Sequence, residues 1–242
     1  MTIQVPVHEL PTYYQYYREQ GIPVLVTGHS GIGKTQVTDL YAHNDVGGYM
    51  ELRTSQMDPS DIKGIPYLDG GISRWASPDF LPYEDRDGKY GVLCLEEILD
   101  GTQEVNASTQ SLVLERRVGD YRLPDGWQII ALGNRKEHGG INRGLSVPQK
   151  TRYAHIEAIM ELGADTQAKD GLLPHFIRSG VDPIVISFLK FHPDMAFKMP
   201  ETGAAEWAYP NPRAWERVSG VRKKDPSKSM RFNLYASLVG EG

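Results

Sequence analysis

The sequence predicts an α/β protein: a parallel five-stranded sheet with helices on both faces, followed by a smaller all-helical part. Three observations carry this. Short apolar, β-rich runs alternate with helical stretches through the first 163 residues. A glycine-rich loop lies where one such run passes into a helix. Beyond residue 163 the strand-like runs cease. With 242 residues, 40% of them hydrophobic and 24% charged, the chain has material for a core without disulfides or structural metal.

The elements follow in order. Residues 8–20, HELPTYYQYYREQ, set Leu10, Tyr13, Tyr14 and Tyr17 at helical spacing, and Gly21 supplies a stop. Tyr13, Tyr14, Tyr16 and Tyr17 suit a stacking platform for bases, although packing on a core is the commoner use of such a helix. IPVLVTG reads as a strand, residues 34–44 as a helix, and GYMELRT as a second strand. Residues 56–82 hold several Gly and Pro, and YLDGGISRW reads as an inserted hairpin with Asp69, Gly70 and Gly71 at its tip. YGVLCL is a third strand, and residues 102–117 a helix with Val105, Ser108, Leu112 and Arg116 along one side. WQIIALGN and YAHIEAIM complete the sheet. LGADTQAKDG reads as a linker, so the expected domains are 1–163 and 164–242. Helical patterns then recur at LLPHFIRSG, DPIVISFLKF, NPRAWERVSG and MRFNLYASLVG.

Several classes are disfavoured. Cys94 is the one cysteine, so there is no internal disulfide, which fits a reducing compartment. No stretch approaches the ~20 apolar residues of a membrane span, and MTIQVPVHEL lacks a signal-peptide pattern. The expectation is a soluble cytoplasmic protein. A net charge of −5 gives no global drive toward nucleic acid or anionic lipid. The basic run RKKDPSKSMR is a local exception, and a solvated loop is its commoner meaning.

The chemistry is concentrated in two short stretches. GHSGIGKT comprises Gly28, His29, Ser30, Gly31, Ile32, Gly33, Lys34 and Thr35. Its glycines let the backbone curl so that successive N–H groups face phosphate oxygens, and the helix it opens adds partial positive charge. Lys34 supplies a full charge to the β/γ-phosphates, and the Thr35 hydroxyl can ligate Mg²⁺. The second stretch is GVLCLEEILDG, an apolar run that ends in Glu96 and Glu97. A magnesium nucleotide on the glycine loop explains both acids: Glu96 to hold the metal's waters, Glu97 to orient and activate the attacking water.

In this arrangement the chain resembles the AAA+ ATPases, specifically the MoxR-like, dynein-related branch with its phage-type members. The resemblance rests on GHSGIGKT, QMDPSDIKGIP, LCLEEI, LERRVGDYRLPDGWQIIALGN, TRYAHIEA and NPRAWERVS, in that order. It implies a five-stranded P-loop core with a helical lid. It implies that Asn134 is the sensor-1 residue, which holds the attacking water and touches the γ-phosphate. Arg152 corresponds to the arginine finger that reaches a neighbouring subunit's nucleotide, with Arg143 a weaker candidate for the same surface. Arg213 corresponds to sensor 2, closing the lid on the γ-phosphate. ATP and Mg²⁺ as cofactors, a homo-oligomeric ring such as a hexamer, an adaptor carrying a von Willebrand A domain, and a chaperone-like task of protein or complex maturation follow from the same source. The inserted hairpin, with Tyr67 and Trp75 at its ends, would face the pore or a partner; packing on the core is the alternative.

Two features depart from the family pattern. Glu96 stands where Asp is usual, which moves the carboxylate by roughly 1.5 Å. The lid pattern extends beyond what LYASLVGEG supplies. Two other readings therefore stay open: a nucleotide-dependent scaffold with little or no hydrolysis, and a nucleic-acid-linked motor.

Overall fold

A computed structural model of the protein describes residues 2–135, 144–163, 169–199 and 208–240. The predicted parallel α/β sheet is present, with one strand more than the sequence revealed. The elements run β1 (Ile3–Pro6), α1 (Leu10–Glu19), β2 (Val24–Thr27), α2 (Lys34–Tyr41) and β3 (Gly48–Arg53). A short helix α3 (Pro59–Lys63), a hairpin of β4 (Ile65–Asp69) and β5 (Ile72–Ala76), and a helical turn α4 (Glu84–Asp87) separate β3 from β6 (Tyr90–Glu96). Next come α5 (Gln103–Glu115), a small hairpin of β7 (Arg117–Val118) and β8 (Tyr121–Arg122), then β9 (Gly126–Gly133), α6 (Val147–Lys150) and β10 (Ala154–Ile159).

The six main strands lie in the order β1-β10-β2-β9-β6-β3. The pairs β10–β2, β2–β9, β9–β6 and β6–β3 are all parallel. β2 and the stretch Val92 to Leu95 of β6 are buried throughout, as strands covered on both faces must be. The added strand, β1, sits at the edge. Only Val5 of its four residues is buried, so the sequence offers neither an alternating nor a continuous apolar signal there.

Trp127 anchors the centre of the sheet. It is 1% exposed, and its Nε1 donates to the Gly88 carbonyl at 3.0 Å. Its ring lies where a Cβ on Gly91 would stand 2.7 Å from three of its carbons, and a Cβ on Gly48 3.0 Å from one. Two neighbouring strands thus carry glycine so that one indole can lie flat across them. On α1, Tyr14 is fully buried and its hydroxyl meets Thr38 Oγ1 at 3.0 Å, whereas Tyr16 is exposed. At least one of the four tyrosines is core material.

The helix expected over residues 34–44 is α2 followed by a π-helical turn, Ala42–Val46. The helix expected over 102–117 ends at Glu115. Val105, Ser108 and Leu112 are buried along it, but Arg116 leaves the row. It adopts a left-handed backbone, φ 55°, and its Nη2 donates to the carbonyls of Pro124 and Trp127 at 2.6 and 2.7 Å. Sequence spacing placed Arg116 on a helix face; the need to cap α5 and brace the following chain took it elsewhere.

The chain divides into two compact units. One comprises Met1–Val5, Glu9–Ser30 and Lys34–Ala158; the other comprises Pro6–His8, Gly31–Gly33 and Ile159–Gly242. The second unit contains α7 (Leu172–Arg178), α8 (Pro183–Phe191), α9 (Pro212–Arg222) and α10 (Lys228–Val239). Its core holds Leu173, Phe176, Val185, Leu189, Trp215 and Val218. Asp182 caps α8 by accepting from Ile184 N at 2.8 Å, and its own N–H donates to Ser219 Oγ of α9 at 2.8 Å. Among the described residues no helix is long and apolar enough to cross a membrane.

Candidate functional site

The parallel registers set a line of strand ends along the carboxyl edge of the sheet. Thr27 of β2 pairs with Gly133 of β9, Leu95 of β6 with Ala131 of β9, and Arg53 of β3 with Glu96 of β6. Because β9 lies between β2 and β6, the residue that follows it, Asn134, is flanked by the glycine loop on one side and the acids on the other. Open α/β sheets bind ligands at such an edge.

The loop after β2 has the curled backbone its sequence requires. Gly31 and Gly33 adopt φ of +81° and +98°, conformations that side chains strongly disfavour. Lys34 opens α2 and is 8% exposed. Its Nζ donates to the carbonyls of Gly28 and His29 at 2.9 and 2.7 Å and to Asn134 Oδ1 at 2.9 Å. Lys34 and Asn134, a hundred residues apart in sequence, therefore share one cationic centre. Next on α2, Thr35 Oγ1 donates to Glu96 Oε1. Burial, the largest influence, pushes the Glu96 carboxyl above its ordinary range; the Thr35 hydrogen bond opposes this, Glu51 and Glu97 add repulsion, and Lys34 offsets part of it.

Glu97 takes a left-handed backbone, φ 56°, which turns the chain sharply out of β6. Its Oε2 accepts a hydrogen bond from Ser55 Oγ. Thr54 Oγ1 donates to the Glu96 carbonyl at 3.0 Å. Ser55 and Thr54 were missed in the sequence because they matter only through the β3–β6 register, which sets Arg53 opposite Glu96 and the next two residues beside Glu97.

The remaining predicted positions fall elsewhere. Arg152 precedes β10, whose Ala154 pairs with Val24 at the start of β2. It therefore lies toward the opposite edge of the sheet, more than about 10 Å along the strands from Glu96. Its Nε donates to the Pro148 carbonyl at 3.2 Å, and it borders a small cleft with Asn106 and Gln110 of α5. Arg213 is exposed in the first turn of α9, which Asn211 caps by accepting from Ala214 N at 3.0 Å. Arg143 lies outside the described residues.

The donor set suits magnesium. Thr35 and Glu96 offer adjacent hard oxygen ligands, and among the described residues no group of three or more His, Cys, Asp and Glu forms a cage. Mg²⁺ is commonly held by one or two protein oxygens plus substrate phosphates and water, in keeping with such a pair.

No protein-family model and no curated protein matches the sequence. Solved structures do match. NtrX of Brucella abortus aligns with TM-score 0.54 at 16% identity, over 90% of this chain and 50% of its own. The same protein in complex with ADP aligns with TM-score 0.51 at 16% identity, over 91% and 50%. A Cytophaga hutchinsonii protein assigned as an ATPase gives TM-score 0.51 at 17% identity, over 73% and 52%. The fold is that of the AAA+ P-loop ATPases. The chain spans about half the length of these structures.

Proposed function

We propose that the chain is an ATP-hydrolysing AAA+ protein of the MoxR-like, dynein-related branch, acting at interfaces between copies of itself to remodel or mature a partner protein. The convergence of Lys34, Thr35, Glu96, Glu97 and Asn134 at the carboxyl edge of the sheet carries this reading. In it, the N–H groups of residues 28–35 hold the phosphates and Lys34 neutralises the β/γ-oxygens. Thr35 and Glu96 would hold Mg²⁺, which when bound draws charge from the phosphate oxygens. Glu97 takes a proton from the attacking water, with Ser55 fixing the carboxylate, and Asn134 positions that water.

Arg152 lies toward the wrong edge of the sheet for the nucleotide of its own chain. That supports a role as a finger offered to a neighbouring copy, where such arginines are worth about 10³–10⁵ in rate. Arg213 acts as sensor 2. A hexameric ring, an adaptor with a von Willebrand A domain and a chaperone-like task complete the proposal and rest on the family resemblance; a cytoplasmic location rests on the single cysteine, Cys94.

Phosphate release and ATP binding, measured side by side, test it. Lys34→Ala should abolish binding, and Glu97→Gln should bind ATP but stall. Undiminished turnover in Glu97→Gln removes Glu97 from the chemistry. Arg152→Ala should lose turnover alone and regain part of it when mixed with Glu97→Gln, since one mixed interface joins two intact halves. No recovery at any mixing ratio excludes the shared site. A second reading, a scaffold with little hydrolysis, draws on Glu96, whose crowded carboxyl is pushed toward its neutral form; tight ATP binding without turnover in the unaltered protein would select it.

A further inference from the structure

Helix α9 has a buried side and a bare one. Ala214, Trp215, Val218 and Ser219 face the core of the second unit. At about 100° per residue, Arg213, Arg217, Gly220 and, in the turn that follows, Lys224 fall on the other side, beside the half-buried Glu216, whose Oε1 lies 3.7 Å from His175 Nε2. All four are exposed, and neither Arg217 nor Lys224 has an ion-pair partner among the described residues. The row spans ~17 Å at ~1.5 Å per residue, and Lys228 follows after the turn.

Gly220 is the informative member. Glycine inside a helix is unfavourable relative to alanine, and crowding usually explains it. Here a Cβ would meet nothing within 4 Å, so no internal contact requires the glycine. Its effect is external: it leaves a flat place in the middle of a cationic row, where another backbone can lie against the helix. The row carries no apolar or aromatic side chain. It therefore lacks both the desolvated anchors of a protein interface and the rings on which single-stranded bases stack.

We infer that the α9 row is a docking surface for the phosphate backbone of a nucleic-acid duplex, which lies along Arg217 and Lys224 and closes on the helix at Gly220. This goes beyond the proposed ATPase activity and needs no nucleotide. The charge is local, in a chain of net charge −5, so the contact is regional rather than a general attraction to polyanions.

Fluorescence anisotropy with a labelled DNA duplex of ~20 base pairs, using the full chain without ATP, tests it. Three contacted phosphates, at Arg213, Arg217 and Lys224, give a slope of log affinity against log salt of about −2.7. Arg217→Ala with Lys224→Ala should reduce that slope by about 2. Gly220→Gln should raise the thermal midpoint, because it removes a helix glycine, yet weaken binding at least tenfold by blocking the approach. A structural role for Gly220 predicts the reverse on stability. No binding at 50 mM salt, equal affinity for the single strand, or variants that bind as the unaltered protein does each overturn the inference. So does a change in self-association in place of DNA binding, which would make the row a contact between copies. Arg213 is left intact in every variant, so ATP turnover reports separately on the proposed activity.

Discussion

Replacing Gly91 with alanine tests the packing that fixes the sheet register, and hence the alignment of the site. A Cβ there would stand 2.7 Å from three carbons of the Trp127 ring, whereas ordinary contact begins near 3.4 Å. The ring must retreat by about 0.7 Å, but it is 1% exposed and tied by its Nε1 to the Gly88 carbonyl. Overpacking of this kind costs about 1–3 kcal/mol, and loosening the indole hydrogen bond adds about 1 kcal/mol. A total of about 2–4 kcal/mol, at about 2–4 °C per kcal/mol for a unit of this size, lowers the melting midpoint by about 5–15 °C. Thermal denaturation followed by circular dichroism measures it. The decisive comparison is a double-mutant cycle with Trp127→Leu, in whose background Gly91→Ala should cost less than about 1 kcal/mol. A loss of similar size in both backgrounds, or under about 1 kcal/mol in the unaltered protein, would show that the indole does not set the glycine requirement.

Three further outcomes follow from the described contacts. Ser55→Ala should lower kcat several-fold while leaving KM for ATP unchanged, because Ser55 touches Glu97 and not the phosphate loop; steady-state kinetics decide, and an unchanged kcat refutes the positioning role. Tyr14→Phe removes a fully buried hydroxyl contact but leaves Thr38 Oγ1 its bond to the Lys34 carbonyl at 2.9 Å, so the loss is about 1 kcal/mol by denaturant titration. Cys94 is fully buried and burial holds its thiol well above the ordinary range, so an aromatic disulfide reagent at pH 8 should react only as the protein unfolds; rapid labelling of the native protein would contradict the packing around β6.

What could be read from the sequence was what is local in the chain. The glycine loop occupies eight consecutive residues flanked by a strand and a helix, so its backbone chemistry is written in one place. The pair Glu96–Glu97 stood out because a fully buried run stops at two charges, a contrast visible without any partner strand. The inserted hairpin showed through its Gly70-Gly71 tip. What escaped depends on pairing between distant segments. β1 has one buried residue and gains its identity from β10, some 150 positions away. The β7–β8 hairpin has two-residue strands, too short to show a period, although the Gly119-Asp120 step between them was a usable turn signal.

The same distinction separates the two acids. Glu96 could be paired with Thr35 by chemistry alone, since a threonine that follows a phosphate-loop lysine calls for a carboxylate near it. The surroundings of Glu97 could not be assigned this way. Its left-handed backbone and its Ser55 partner go together because β3 stops level with Glu96, so the chain after Arg53 passes beside the turn out of β6. A shift of one residue in that parallel register would move Ser55 by ~3.3 Å and cost the contact with Glu97, while leaving every residue type in the site unchanged. The quantity that sets the geometry of the proposed catalytic acid is therefore strand register, to which Trp127 contributes by packing across Gly48 of β3 and Gly91 of β6.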